Sequence, residues 1–140
     1  MGTSGYRISL EAVPLPNART FLHLTYSYAV NFSGRLAMQT YLGTIGAGKV
    51  GFSVVGRQDN GQPDYIGGVR GLMERNTMRY YLAIDAFLDA ANAAPAARSE
   101  QRLQSWFTAT ERYPRQLHEM DRAPYIEMKR AEVLRQQNVH

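Results

Sequence analysis

The 140-residue sequence contains no cysteine, a single tryptophan and only two lysines, Lys49 and Lys129. The absence of cysteine excludes disulfides, iron–sulfur clusters and thiol nucleophiles. No apolar run reaches the roughly 18 residues that a membrane-spanning helix needs, so none is predicted. The three histidines lie far apart in the chain, at positions 23, 118 and 140. The sequence therefore predicts neither a metal site nor a cofactor.

The composition is that of one globular domain. Hydrophobic residues make up 44% of the chain and charged residues 20%, which is typical of a folded chain. Residues 1–5 are interpreted as a disordered leader and residues 6–140 as a single domain. Within that domain, residues 6–71 are expected to form the sheet and residues 72–138 the helices. The compartment stays open: the cytoplasm is slightly favoured, with a periplasmic or secreted location if the leader replaces a signal peptide.

Arginine dominates the positive charge, with fourteen residues and a net charge of +4. Residues 1–69 carry five cations and three anions, and residues 70–140 carry eleven and nine. Since each part has the same small excess, no basic arm is indicated. Arginine suits bidentate contacts with carboxylate or phosphate. With nine tyrosines, it also makes nucleic-acid binding a hypothesis, although acidic residues are mixed among the cations.

Strand patterns occupy the first half of the chain. Residues 21–32 alternate apolar and polar side chains with strict period two, which excludes an amphipathic helix there. Ser33 is the predicted cap of a following short helix, and Asn60-Gly61 marks a turn. Strands are predicted over residues 6–13, 21–32, 49–57 and 64–69, and the short helix over residues 33–42.

The second half shows helical spacing, with long helices expected over residues 72–92, 98–112 and 125–137. Because strands come first and helices follow, the fold class predicted is α+β. We expect an antiparallel sheet of about four N-terminal strands packed against three to four C-terminal helices. The predicted core consists of Leu22, Leu24, Tyr26, Phe32, Phe52, Val54, Tyr81, Ile84, Phe87, Leu103, Trp106 and Phe107.

Residues 43–50, GTIGAGKV, are similar in spacing to a phosphate-binding loop. Such a loop needs a helix that begins at the lysine and a Ser or Thr hydroxyl for magnesium. Here Val50 replaces the hydroxyl residue, and a strand pattern follows Lys49. Nucleotide hydrolysis is therefore rejected. The glycines are expected to form a tight turn or bulge, with Lys49 in solvent.

A second glycine cluster, GGVRGLMER at residues 67–75, leads from a strand into a helix. Helix N-termini present unpaired N–H groups and partial positive charge, so arginines gathered there favour a bound anion. Alternatively, these arginines pair with Glu74 and other acidic side chains, and the glycines only fit the turn. The candidate ligand-binding residues are Gly67, Gly68, Arg70, Gly71, Arg75 and Arg79.

No catalytic set is complete. His118 and Glu119 begin a pattern of zinc proteases, but Arg122 stands where the second histidine is needed. The polar strand face that carries His23 is expected to face solvent. Three functions follow as hypotheses: a non-enzymatic module that binds a protein partner, a protein that holds an anionic small molecule at residues 67–79, and a nucleic-acid binder. Homo-oligomerisation stays open.

Overall fold

The computed structural model describes residues 3–44 and 46–137 and confirms the α+β class. The chain divides between Thr77 and Met78 into two compact units, and the second is here called the helical unit. No helix among the described residues is long and apolar enough to cross a membrane. The elements are β1 Thr3–Leu15, β2 Arg19–Val30, α1 Phe32–Gly43, β3 Val54–Arg57, β4 Pro63–Tyr65, α2 Gly68–Asp89, α3 Pro95–Thr110, α4 Pro114–Leu117 and α5 Arg122–Gln137.

A long antiparallel hairpin of β1 and β2 confirms the two alternating patterns of the sequence. Leu10 lies opposite Leu24, so residues of equal character share a face. The turn places Asn17 and Ala18 in the left-handed region, with φ of 63° and 53°. β1 begins at Thr3, within the segment interpreted as a leader; Met1 and Gly2 lie outside the described residues.

The remaining strands, β3 and β4, form a second two-stranded sheet, so the expectation of one four-stranded sheet is wrong. Both strands are also shorter than predicted. The reason lies in the preceding segment, which contacts other partners. The Gly51 amide donates to the Ile66 carbonyl, and the Phe52 and Ser53 amides donate to the Glu74 carboxylate. The Phe52 and Ser53 amides are therefore not available to extend a strand ladder, although the Gly51–Ile66 bond still joins the two segments.

The N-cap of helix α1 lies two residues before the predicted cap, Ser33. Asn31 is the N-cap, and its side-chain oxygen accepts from the Gly34 amide and the Ser33 hydroxyl at 2.9 Å each. The glycine-rich segment after α1 forms a tight turn, as expected, with Gly48 at φ +77°. No helix begins at Lys49, which is half-buried rather than in solvent.

The buried apolar residues of the helical unit lie on α2, α3, α4 and α5, together with Ala90 directly after α2. Phe107 is buried, as predicted, whereas Tyr81 and Phe87 are 44% and 52% exposed. The buried stripe instead follows Leu82 and Ala86 of α2 and Ala90 directly after its end, at i, i+4 spacing. The buried apolar residues are Leu82, Ala86, Ala90, Phe107, Ala109, Leu117 and Ile126.

Six further core predictions concern residues before α2. Val54 is 59% exposed, so its assignment to the core is wrong. Leu22, Leu24 and Tyr26 are only half-buried, together with Phe52. The side chain of Phe32 lies outside the described residues.

Candidate functional site

Over residues 6–12 and 22–28, one face of the β1–β2 hairpin carries aliphatic and aromatic side chains. This face, here called the apolar face, is aligned by the register: Ile8 lies opposite Tyr26 and Ala12 opposite Leu22. On β1, Ile8 and Leu10 keep 51% and 47% of their surface exposed. The β2 members are half-buried. The apolar face comprises Tyr6, Ile8, Leu10, Ala12, Leu22, Leu24, Tyr26 and Tyr28.

Three tyrosines cluster at the end of the apolar face away from the turn. The rings of Tyr6 and Tyr28 stack with centroids 5.6 Å apart, and Tyr26 lies 5.5 Å from Tyr28. Partial burial, and secondarily the nearby Tyr6, raises the pKa of Tyr28 above its ordinary value. The Tyr28 phenol therefore stays neutral near pH 7, and the face carries no Asp, Glu, Lys, Arg or His side chain.

The opposite face of the hairpin is polar over its central part. Arg7, Glu11 and His23 lie there, and the His23 imidazole is 3.3 Å from the Glu11 carboxylate. The odd-numbered residues of β2 are exposed, which confirms the predicted solvent face. The hairpin thus separates a charged side from an uncharged side.

The apolar face is a contiguous exposed surface. It spans seven residues on each strand at about 3.4 Å per residue, so it measures roughly 24 by 10 Å, or about 240 Å². Exposed apolar patches of a few hundred Å² on soluble chains are often functional. A two-stranded hairpin is also marginally stable in water without a covering layer. Both considerations make this face the leading candidate for a binding surface.

The predicted anion site at residues 67–79 has a protein carboxylate at its centre. Glu74 accepts hydrogen bonds from the Phe52 amide at 2.7 Å, the Ser53 amide at 2.9 Å and the Ser53 hydroxyl at 2.7 Å. Arg70 is 72% exposed and lies 3.5 Å from the same carboxylate. The backbone amides that surround an anion here belong to residues 52 and 53 rather than to the start of α2.

Gly71 and Gly51 lie in backbone contact, which explains one glycine of the cluster. A Cβ at Gly71 would stand 2.7 Å from the Ile66 carbonyl oxygen and 3.0 Å from the Gly51 nitrogen. Gly68 has φ +58°, where an L side chain is strained. A Cβ at Gly67 would meet nothing within 4 Å. Close approach therefore needs glycine at position 71 but not at position 67.

The two other predicted arginines have different surroundings. Arg75 is 1% exposed, and its Nη1 donates to the Val50 carbonyl at 3.4 Å. Its Nη2 is buried without a hydrogen-bond partner among the described residues. Arg79 belongs to the helical unit, where it pairs with Glu119 and its carbonyl accepts from the Trp106 indole. Arg70 and Arg79 are each already paired with a carboxylate.

We expect Glu74→Gln to lower the free energy of unfolding by about 1–3 kcal/mol, since three donors lose a charged acceptor. Burial acts to raise the pKa of Glu74, but the bonds from Ser53 and Phe52 and the nearby Arg70 hold it below its ordinary value. The contribution of the Glu74 carboxylate to the free energy of unfolding is thus full above its unfolded-state pKa, about 4.3. This contribution is lost as the pH falls through the lower folded-state pKa.

Urea denaturation at pH 7 and at pH 3 measures this effect. The parent and Glu74→Gln are expected to differ clearly at pH 7 and to converge at the lower pH. The matched control is Glu127→Gln on the exposed side of α5, for which little change is expected at either pH. An equal loss for both variants would contradict the role given to Glu74.

The helical unit contains a groove of about 420 Å³ beside the stacked rings of Trp106 and Tyr125. Arg79, Arg102 and Lys129 line it together with apolar side chains. Glu119 pairs with Arg79 and Glu132 with Lys129. The Arg102 guanidinium lies 3.9 Å above the Phe87 ring. The groove has the volume of a ligand site, but two of its three cations are already neutralised.

His118 lies in a hydrogen-bonded pair rather than in a ligand cluster, with its Nδ1 2.9 Å from the Glu111 carboxylate. In the described ranges, no group of three or more His, Asp or Glu side chains is placed to hold a metal ion.

The sequence predicted the alternation of the hairpin but assigned its apolar side to the core. The absence of charge on that side did not distinguish the two cases, because a side that faces the core also lacks charge. Comparison with models of protein families, with curated proteins and with solved structures gives no match.

Proposed function

We propose that this chain is a non-enzymatic interaction module that binds a protein partner on the apolar face of the β1–β2 hairpin. The observation that supports it is the exposure of Tyr6, Ile8 and Leu10, at 59%, 51% and 47%, on a face without charge. Covering this face removes about 240 Å² of apolar surface from water, a favourable contribution to association. It also supplies the second layer that an isolated hairpin lacks.

The composition of the face indicates the chemistry of the partner. A face without charged groups favours a complementary surface that is apolar at its centre, because a charge buried against it would have no counterpart. Tyrosine is enriched among the residues that dominate interface energies, and three tyrosines lie at one end. Their hydroxyls can stay hydrated at a polar rim. We therefore expect a partner with an aliphatic or aromatic patch and polar groups at one end.

The small-ligand hypothesis has less support. It requires Arg70, Arg75 and Arg79 to share an anion, yet Glu74 and Glu119 already neutralise the first and the last. Arg75, with 1% exposure, offers its guanidinium to no soluble ligand without a rearrangement. The hypothesis is kept as the alternative, with the same candidate residues.

Site-specific photo-crosslinking in the native cell tests the interaction proposal. A photoreactive amino acid at Leu24 lies on the apolar face, and one at the neighbouring Thr25 lies on the polar face. We expect a covalent adduct with a second protein from position 24 and a much weaker one from position 25. Equal yields from the two positions, or no adduct from position 24, would overturn the proposal.

A further inference from the structure

We propose that two copies of this chain associate by antiparallel pairing of their β1 strands, about a two-fold axis at Ser9. This inference rests on the proposed function, because it describes the platform on which the partner docks. The sheet contains two strands, so among the described residues no strand pairs with the outer edge of β1. Each residue from Ser4 to Leu15 is exposed. An open edge of this kind is a template for pairing with another strand.

The protective features of this edge lie at its two ends. A register shift between Ser4 and Arg7 marks an irregularity at one end, and Pro14, which lacks an N–H donor, lies near the other. Natural sheets use such features to discourage pairing. Between them, residues 7–13 are regular. This stretch is long enough for a short intermolecular ladder.

Charge selects one register for that ladder. Apolar residues must lie opposite apolar residues, because a slip of one position would place them on the polar side. The axis must therefore pass through a residue. An axis at Ser9 places Arg7 opposite the partner's Glu11, and the reverse contact forms by symmetry. An axis at Arg7 or Glu11 would oppose like charges, which destabilises a pair of strands.

The same register aligns the apolar sides of the two hairpins. Ile8 then lies opposite the partner's Leu10, and the regular ladder runs over residues 7–11 of each copy. Arg7 has no ion-pair partner among the described residues, so the contact gives it one. The combined four-stranded sheet presents about 480 Å² of apolar surface, twice the area of one hairpin. That value is more than half of the roughly 800 Å² that one partner contributes to a standard protein interface.

Cysteine trapping tests the register directly, because the chain has no cysteine of its own. In Ser9→Cys the two thiols would face each other with Cα atoms about 4.5–5.5 Å apart, within reach of a disulfide. Thr25→Cys is the matched control: it lies opposite Ser9 on β2, so its two copies would stand three strand spacings, about 14 Å, apart. Mild oxidation of the purified chain should crosslink most of Ser9→Cys and little of Thr25→Cys.

Charge exchange provides an independent measurement by sedimentation over a range of concentrations. The parent is expected to approach twice its 15.8 kDa mass. Arg7→Glu and Glu11→Arg should each weaken dimerisation about 10-fold or more, and the double variant should return to within about 3-fold of the parent. Arg57→Glu, on exposed β3, controls for net charge.

A parent that stays monomeric at about 100 μM, or a double variant without rescue, would overturn the inference. An adduct with another protein from position 24, without a Ser9→Cys dimer, would sustain the proposed function alone.

Discussion

Gly71→Ala is expected to lower the free energy of unfolding by about 1–3 kcal/mol, although alanine favours a helix interior over glycine by about 1 kcal/mol. The added Cβ would stand 2.7 Å from the Ile66 carbonyl oxygen and 3.0 Å from the Gly51 nitrogen. Both are backbone atoms, which cannot rotate away. Helix α2 would have to move, and the Glu74 bonds to the Phe52 and Ser53 amides would lengthen.

Gly67→Ala is the matched control, four positions earlier in the same cluster. A Cβ there meets nothing within 4 Å, and the residue does not occupy the left-handed region. Its substitution should leave stability unchanged or raise it by up to about 1 kcal/mol through a less flexible unfolded chain. Chemical denaturation of both variants measures the difference in their free energies of unfolding. Similar stabilities for the two would contradict the close contact of Gly71 with Gly51.

Comparing Gly71→Ala with Gly67→Ala also tests the role of the glycine cluster at residues 67–75. If the cluster served mainly to wrap an anion, both glycines would matter for ligand binding and neither need matter for stability. A selective loss of stability at Gly71 would instead indicate that this glycine allows α2 to approach residues 51–53. The arginines of the cluster would then be judged separately, by their own contacts.

Local pattern was sufficient to predict the hairpin and the helices. Period-two alternation over residues 21–32 depends only on which side chains share a face, so β2 followed directly from the sequence. The short length of β3 did not, because it depends on Glu74 reaching the amides of Phe52 and Ser53, more than twenty residues earlier in the chain. Such long-range hydrogen bonds leave no periodic signal.

The core of the helical unit shows a second limit of prediction from sequence. Phe87 and Ala86 both lie at helical spacing, and hydrophobicity alone favours the larger side chain. In the structure Ala86 is 3% exposed and Phe87 is 52% exposed, with Arg102 above its ring. The burial of Ala86 depends on which neighbouring residues cover it, and a cation over the aromatic ring accounts for the exposed Phe87. Both effects need the positions of neighbouring elements.

The candidate site was predicted in part. The sequence identified the apolar side of the hairpin but not its exposure, since exposure depends on what covers it. The arginines of residues 67–79 were grouped by proximity in sequence, whereas Arg75 is buried and Arg70 is exposed. Side chains on one helix point in different directions at these spacings. Sequence proximity was therefore a poor guide to a shared site.

The most direct test of the account compares Leu10→Lys with Val13→Lys in the native cell. Leu10 and Val13 lie on β1 with nearly equal exposure, 47% and 50%, but on opposite faces of the hairpin. A lysine at position 10 would place an unpaired charge inside the proposed interface, which costs several kcal/mol and at least about 100-fold in affinity. A lysine at position 13 stays in solvent.

Size-exclusion chromatography of fresh extract, with the chain detected by a tag, reads out the complex. The account predicts that the parent and Val13→Lys elute together above twice the 15.8 kDa chain mass. Leu10→Lys should elute without the partner, while its purified form keeps the parent's circular dichroism spectrum. If both lysine variants elute with the parent, the apolar face of β1–β2 is not the docking surface.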